Sequence, residues 1–187
     1  WPEKVGEAKA VHTFATVEHL MTLYPEFRFA YSQPASHAAV ARRAPKLMQK
    51  VEARLRSGQW EATGVMHVES DTLLPCGEAL ARSFIIGQEE FQKLRGSRAR
   101  LLWLPDVFGY SACLPQLIKL AGADWFFTTK LTWSGINRFP YSSFVWRGND
   151  GSEVLAHVTQ DSGYNNVLDL PRLHANANGH AQSDVHP

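Results

Sequence analysis

The sequence predicts an α/β fold in which parallel strands alternate with helices. Four strand-like apolar segments are separated by segments whose apolar residues recur at helical spacing, which is the pattern of a parallel sheet with crossover helices. Of the 187 residues, 44% are hydrophobic and 20% are charged, a composition typical of a folded globular chain rather than a disordered one. Beyond Trp133 the alternation ends, and a hairpin is predicted instead.

The first half of the chain contains two predicted helices and two predicted strands. Apolar residues recur at helical spacing over 5–21, and Pro25 closes that segment. Residues 27–31 alternate in polarity as a short strand does. A second helix is predicted over 45–58, between a proline and a glycine. Residues 60–68 have strand character.

The next seventy residues repeat the alternation. Apolar spacing predicts a helix over about 77–94, and the compact apolar run 99–104 fits a buried strand. Ser111 is a suitable cap for a further helix that continues to about residue 121. Residues 124–129 are again strand-like, so strands ending near residues 31, 68, 104 and 129 are expected to be parallel neighbours.

The end of the chain differs from the rest. Two short apolar segments within 143–158 flank the sequence Gly-Asn-Asp-Gly at 148–151, and an Asp-Gly pair is a strong hairpin signal. Residues 171–187 are poor in large apolar residues and rich in Asn, His and Gly, which predicts a mobile tail.

Composition excludes several classes of protein. Lys and Arg total 19 against 18 Asp and Glu, so the formal charge of +1 gives no electrostatic reason to expect nucleic acid or an anionic membrane as a partner. No apolar run approaches the ~20 residues that span a bilayer. Cys76 and Cys113 are too few for a disulfide framework or a Cys-rich zinc site, which favours a reduced, cytoplasmic protein.

Polar residues that follow the predicted strands are the candidates for a site. In α/β folds, functional groups collect at the carboxyl ends of parallel strands. This rule selects Gln33, Glu69, Asp71, Asp106 and Lys130, although helix caps and turn-forming residues occupy the same places. We expect Asp106, Lys130 and Asp71 to converge at one end of the sheet, unless Asp71 braces the loop before the following proline.

Asp106 is the strongest candidate. It lies between an apolar strand and the segment Val-Phe-Gly-Tyr at 107–110, so its carboxylate is expected to be partly desolvated and held by rigid neighbours. The alternative is a helix cap near Ser111, but Asp106 stands five residues before that cap.

The eight histidines do not form a metal motif. His157 follows a strand and either points toward the site or, as is favoured, has a structural role. His174, His180 and His186 are spaced by six residues in the tail. The sequence contains no His-x-x-x-His helix, Walker loop or Gly-x-Ser-x-Gly turn.

Several long motifs resemble one family. Residues 103–111, Trp-Leu-Pro-Asp-Val-Phe-Gly-Tyr-Ser, followed by Leu-Pro-Gln at 114–116, closely resemble the nucleophile motif of the α-mannosidases of glycoside hydrolase family 38. The agreement continues through 127–133, 137–140 and 144–151. Upstream segments resemble the cytosolic and bacterial branch: Tyr-Ser-Gln at 31–33, Gly-Gln-Trp-Glu at 58–61, Val-Glu-Ser-Asp at 68–71 and Gly-Glu at 77–78 with Arg82.

The resemblance implies a fold and a reaction. It implies that residues 1–165 are a piece of a catalytic (β/α)-barrel domain, a partial barrel, and that 166–187 is a disordered or non-family tail. The implied activity is hydrolysis of terminal α-mannosides by a zinc-dependent retaining mechanism, with a mannose-containing oligosaccharide or glycoside as substrate.

The resemblance also implies roles for particular residues. Asp106 would be the nucleophile and a zinc ligand. Lys130 matches a basic position near the nucleophile, and Asp161 with Tyr164 matches a later loop close to the substrate. Asp71 is the further candidate for substrate binding.

The departures from the family pattern concern the metal and the acid. The family's His-x-His-x-Asp zinc segment precedes a Trp-Leu-Trp-Pro motif, and this chain opens on Trp1-Pro2. The acid/base Asp on its Gly-rich loop and a later His ligand are not visible either. The chain is therefore expected to be a fragment that is inactive alone, since one carboxylate cannot hold a catalytic zinc. The oligomeric state of the parent is left open, a homo-oligomer included.

Two alternatives remain at this point. Another zinc hydrolase on a similar barrel, such as a polysaccharide deacetylase, would need a compact His/Asp ligand set. A non-catalytic carbohydrate-binding module built on surface Trp and Tyr would need a complete small β fold.

Overall fold

The computed structural model describes residues 2–133, 136–137 and 139–159. The chain divides into two compact units. The first unit comprises Trp1–Val68 with Arg82–Ala99, and the second comprises Glu69–Ala81 with Arg100–Pro187. In the described part of the chain, no helix has the length and apolar character needed to cross a membrane.

The first unit combines helices with a short parallel strand pair. Its elements are, in chain order, α1 Glu3–Leu23, β1 Phe29–Tyr31, α2 Pro34–Arg43, α3 Pro45–Arg56, β2 Trp60–Ala62 and the greater part of α4 Gly77–Arg95. Strands β1 and β2 pair in parallel, with Phe29 opposite Trp60. Prolines at the first turns of α2 and α3 suit those helix starts, where a proline lacks only an N–H that has no helical partner.

An aromatic cluster forms the core of the first unit. The fully buried ring of Phe14 packs edge-on against Tyr31, His37 and Trp60, with ring centroids 4.9, 5.0 and 4.7 Å away. Edge-to-face contacts of this kind stabilise a core beyond the apolar area they bury. The helical spacing read from the sequence of α1 therefore places its apolar face on β1, α2 and β2.

His37 in this cluster makes the stability of the protein depend on pH. It is 1% exposed, its Nδ1 lies 3.5 Å from the carbonyl oxygen of Gln33, and its buried Nε2 has no hydrogen-bond partner within the described residues. Burial lowers the pKa of His37 to about 4, and the hydrogen bond to the Gln33 carbonyl opposes this shift to a lesser extent. The unfolded chain therefore binds the proton near pH 6.5 and the folded chain only near pH 4.

The free energy of unfolding is expected to be unaffected by this histidine above pH 6.5, where it is neutral in both states. As the pH falls from 6.5 to 4, protonation of the unfolded chain should lower the free energy of unfolding by about 3 kcal/mol. Urea unfolding at pH 7 and pH 4.5 measures the loss. The variant His37→Phe keeps an aromatic ring but cannot titrate, so its free energy of unfolding should fall less over the same interval. Equal pH dependence in the two proteins would contradict the assignment.

The second unit contains a mixed four-stranded sheet. Its elements are β3 Leu101–Trp103, α5 Leu114–Leu120, β4 Trp125–Thr128, a 3₁₀ turn Lys130–Thr132, β5 Ser143–Arg147 and β6 Glu153–Val158. The strand order is β3-β4-β6-β5, in which β3, β4 and β6 are parallel and β5 is antiparallel to β6. Trp125, Leu155 and Val145 lie opposite one another on β4, β6 and β5, and all three are exposed.

The sequence predicted the α/β class correctly, but the parallel pairing only in part: β1–β2 and β3–β4 pair as expected, whereas β2 and β3, also expected to be neighbours, belong to separate sheets among the described residues. Segments 27–31 and 60–68 contain the parallel pair β1–β2, and segments 99–104 and 124–129 contain the parallel pair β3–β4. The hairpin at 143–158 is also confirmed, with Gly151 at a φ of +87° in its turn. A partial barrel is not shown, because the described strands form sheets of only two and four strands.

Three local predictions were wrong. Helix α2 was missed, and the segment 60–68 forms a strand only at Trp60–Ala62. Helix α5 begins at Leu114 with Cys113 as its N-cap, so Ser111 is not the cap. Ser111 instead accepts the Leu114 N–H through its backbone carbonyl, one turn before the helix. The predicted tail and the candidates Asp161 and Tyr164 lie outside the described residues.

Candidate active site

Asp106 and Lys130 meet beyond the ends of two neighbouring parallel strands. Asp106 lies three residues after β3, and Lys130 lies two residues after β4. The two strands are in register, with Trp103 opposite Phe127, so their loops leave the sheet side by side. Lys130 Nζ is 2.6 Å from Asp106 Oδ1. The expected proximity of these two side chains is therefore observed.

The two partners of this ion pair differ in burial. The Lys130 side chain is only 4% exposed, whereas the Asp106 side chain is 58% exposed. A buried ammonium is costly unless it is paired, and the Asp106 carboxylate provides that charge. Asp106 is more exposed than its apolar neighbours in the sequence predicted. The lysine is thus the fixed partner, and the carboxylate is the one that an incoming molecule can reach.

Two aromatic rings complete the surroundings of the ammonium. Lys130 Nζ lies 3.2 Å from the ring centroid of Trp133 and 4.3 Å from that of Phe108. The rings of Phe108 and Trp133 are edge-on to each other at 6.3 Å. An ammonium held over aromatic faces gains a cation–π attraction, which strengthens as water is excluded. This arrangement compensates in part for the water that Lys130 loses.

Backbone hydrogen bonds hold the two loops together. Leu104 N–H donates to the Phe127 carbonyl at 3.0 Å, which extends the ladder past the end of β3. Thr129 donates to the Pro105 carbonyl from its hydroxyl at 2.6 Å and from its backbone N–H at 3.4 Å. The bases of both loops are therefore tied to each other immediately before Asp106 and Lys130.

A cavity of about 460 Å³ opens beside Lys130. Its walls are mostly aromatic and include Phe108, Tyr110, Phe126, Trp133 and Trp146, with Lys130 as the charged group. Flat aromatic faces with a few polar groups suit a ligand that has both apolar faces and hydroxyls, as a sugar does.

Asp71 braces its own loop. Its Oδ1 accepts hydrogen bonds from the N–H groups of Leu73 and Leu74 at 2.7 and 2.8 Å. These two bonds hold the pKa of Asp71 below its ordinary value, and the bond from Leu74 has the larger effect. The bracing role that the sequence left open is thus observed. The same loop contacts the Asp106 loop, because Thr72 Oγ1 donates to the Gly109 carbonyl at 2.7 Å.

The remaining candidates lie elsewhere. Gln33 belongs to the first unit, where it precedes α2 with a backbone φ of 60°, an uncommon conformation for a residue other than glycine. Glu69 does not follow a strand, because β2 ends at Ala62. His157 stacks on Phe127, and its Nδ1 lies 2.8 Å from Ser143 Oγ, which fits the structural role predicted for it.

The described residues do not fit a zinc site. Among them no group of three or more His, Cys, Asp or Glu side chains could hold a metal ion. Catalytic zinc requires about three protein ligands, and Asp106 is a single carboxylate that already contacts an ammonium.

No role in this site was predicted for Trp133 or Thr72, and Phe108 and Tyr110 were placed only among the rigid neighbours of Asp106. Phe108 and Tyr110 follow Asp106 closely, and Trp133 lies one helical turn after Lys130, so proximity in sequence to the two charged residues was the available signal. Thr72 had no such signal, because its contact with residue 109 bridges 37 positions.

An accessible carboxylate paired with a buried lysine, beyond the carboxyl ends of parallel strands, lies where active sites of α/β enzymes are found. Comparison with known families agrees: residues 1–186 match the glycosyl hydrolases family 38 N-terminal domain, and the chain belongs to that family. The match continues beyond residue 165, where the resemblance read from the sequence ended.

Curated relatives are similar over most of this chain. Alpha-mannosidase G of Dictyostelium discoideum is 38% identical over 173 residues, and the alpha-mannosidase of Saccharomyces cerevisiae is 40% identical over 175 residues. The aligned regions cover 92% and 90% of this chain but 16% of each relative. The chain therefore spans a small part of the length of these relatives.

Solved structures support the fold. A family 38 glycosyl hydrolase from Enterococcus faecalis superposes with a TM-score of 0.75 at 19% identity, over 97% of this chain and 21% of that one. The alternative of a small β carbohydrate-binding module is excluded by the helices of both units. Membership of family 38 also rules out the alternative that this chain is a polysaccharide deacetylase.

Proposed function

We propose that the protein containing this chain hydrolyses terminal, non-reducing α-D-mannosides with retention of configuration, and that Asp106 is the nucleophile. The observation that carries the proposal is the accessible Asp106 carboxylate, paired with the buried Lys130 beside an aromatic cavity. Family membership and the names of the curated relatives support mannosides as the substrate class. The partial (β/α)-barrel that the resemblance implies is part of the same proposal.

The proposed reaction has two displacement steps. A carboxylate oxygen of Asp106 forms a bond to the anomeric carbon while the bond to the leaving oxygen breaks, and an acid gives that oxygen a proton. Water then attacks the same carbon and gives its proton to the conjugate base of that acid, and the bond to Asp106 breaks. Two inversions leave the product with the configuration of the substrate. The proposal assigns the acid to no described residue.

Lys130 orients the nucleophile in this scheme. Its ammonium contacts Oδ1 at 2.6 Å and is itself held over two aromatic rings, so it restricts rotation of the carboxylate. A preoriented nucleophile lowers the entropic part of the barrier. Lys130 also offers a positive charge next to the sugar, where Asp161 and Tyr164 are proposed as further substrate-binding residues. The substrate-binding role proposed for Asp71 would be indirect, through its loop.

The product's configuration tests this proposal. The complete protein is incubated with 4-nitrophenyl α-D-mannoside, and proton NMR follows the anomeric signal of the first mannose released. The α anomer is expected first, with slow conversion to the equilibrium mixture. The matched α-glucoside serves as control and should not be cleaved. Release of the β anomer, or no hydrolysis at all, would contradict the proposal.

Zinc dependence is a separate part of the proposal. Asp106 would provide one ligand, and the others would come from parts of the protein outside these 187 residues. Isothermal titration of the 187-residue chain with zinc is expected to show no tight stoichiometric site, because one carboxylate binds zinc weakly. A tight site that disappears in Asp106→Asn would show that the ligand set is complete within this chain.

A cytoplasmic location is also proposed. Cys76 and Cys113 are both free thiols, as expected in a reducing compartment.

A further inference from the structure

A chain of hydrogen bonds joins the bases of the two loops that carry Asp106 and Lys130. Tyr110 Oη donates to the Leu104 carbonyl at 3.1 Å and contacts Thr128 Oγ1. Because the hydroxyl proton of Tyr110 goes to Leu104, the Thr128 hydroxyl is the donor in that second contact. Thr128 Oγ1 in turn accepts the backbone N–H of Lys130 at 3.1 Å. This series of hydrogen bonds therefore runs from the Lys130 backbone through the hydroxyls of Thr128 and Tyr110 to the backbone just after β3.

We propose that Tyr110 is a positioning residue, whose hydroxyl sets the ammonium of Lys130 against the carboxylate of Asp106. Leu104 precedes Asp106 by two residues and Thr128 precedes Lys130 by two, so this hydroxyl acts at the base of both loops. The tyrosine ring is itself fixed edge-on against Phe126, at 5.1 Å between centroids. As regards catalysis, this inference rests on the proposed function.

A second hydroxyl holds the backbone on both sides of Tyr110. The buried Thr72 donates to the Gly109 carbonyl at 2.7 Å and accepts the Ser111 N–H at 3.2 Å. Thr72 follows Asp71, whose carboxylate bonds fix the turn that presents this threonine. The path to Lys130 can therefore be broken at two successive places, at Thr72 and at Tyr110.

The loops keep another link when Tyr110 loses its hydroxyl. Thr129 still bonds the Pro105 carbonyl at 2.6 Å. We therefore expect Tyr110→Phe to displace the Lys130 side chain without unfolding the second unit.

NMR of the 187-residue chain tests the position of Lys130 without any need for activity. With ¹³C-labelled lysine, the ε-methylene protons of Lys130 should be shifted upfield by the rings of Trp133 and Phe108, and the spectrum of Lys130→Arg assigns the signal. In Tyr110→Phe, and likewise in Thr72→Val, this signal should move toward those of the exposed lysines, although both variants are less stable because they lose buried hydrogen bonds; the spectrum should otherwise remain that of a folded chain. Tyr24→Phe, which alters an exposed tyrosine, should leave it in place. A Lys130 signal that stays in place in Tyr110→Phe would overturn the inference.

Kinetics of the complete protein separate this inference from the proposed function. Tyr110→Phe is expected to lower kcat about 10-fold, since a displaced orienting group costs rate, while KM changes by less than about twofold. A shifted Lys130 signal with wild-type kcat would overturn the link to catalysis. If the wild-type protein does not cleave α-mannosides, the proposed function fails, whereas the NMR result decides the positioning of Lys130 independently.

Discussion

Replacing Asp106 with Asn in the complete protein is expected to lower kcat by roughly 10³-fold or more, which corresponds to at least about 4 kcal/mol. The amide keeps the shape of the side chain but removes the negative charge and the attacking lone pair, so no glycosyl-enzyme intermediate can form. The measurement is kcat with 4-nitrophenyl α-D-mannoside. Asp150→Asn, the same change in the turn between β5 and β6, serves as control and should keep wild-type kcat.

The same substitution should also weaken zinc binding if Asp106 is a ligand, because a neutral amide replaces a carboxylate. Assays at saturating zinc separate the two effects. Turnover should stay low at saturating zinc when Asp106 is the nucleophile. Full recovery of kcat would mean that Asp106 is only a ligand, and Asp71 would then be the first alternative nucleophile to test.

Gly87→Ala is expected to destabilise the first unit by about 3 kcal/mol or more. Gly87 lies on the face of α4 that touches the segment 65–67, and an added Cβ would be 2.1 Å from the Val65 carbonyl oxygen and 2.5 Å from the His67 nitrogen. Both atoms belong to the backbone and cannot rotate away. The helix must therefore move, which disturbs the bond from His67 N–H to the Ser83 carbonyl. Urea unfolding measures the loss.

Gly6→Ala is the matched control for that substitution. Gly6 lies in α1, and nothing stands within 4 Å of the Cβ that alanine would add. Alanine in a helix is favoured over glycine by about 0.5–1 kcal/mol, so this variant should be slightly more stable than the wild type. Equal and small effects at both positions would show that α4 does not approach residues 65–67 as closely as described.

Helices with strong apolar periodicity were predictable from the sequence, and strand lengths were not. The helix predicted over 77–94 is observed as Gly77–Arg95, because its apolar residues repeat over five turns. Helix α2 is short, rich in alanine and polar residues, and lacks that contrast, so no helix was predicted there. The apolar run 60–68 is a strand only at its start; beyond β2, the buried Val65 and Met66 pack as loop residues.

The position of the charged pair was predictable, but its surroundings were not. The rule that strand ends collect functional groups brought Asp106 and Lys130 together, because it depends only on strand order and direction. The burial of Lys130 depends on two rings from different loops, Phe108 and Trp133, and on side-chain directions that no spacing gives. Asp71 met the same rule in the sequence, but its carboxylate accepts hydrogen bonds from the backbone of its own turn instead.

The exposed row of Trp125, Leu155 and Val145 has a consequence for handling the chain in solution. These three side chains form an apolar stripe across β4, β6 and β5, on a sheet of a kind that α/β proteins normally cover on both faces. Salts that are excluded from protein surfaces, such as sulfate, strengthen the burial of such stripes. We therefore expect light scattering to detect self-association that grows with ammonium sulfate concentration and weakens when Leu155 is replaced by Lys.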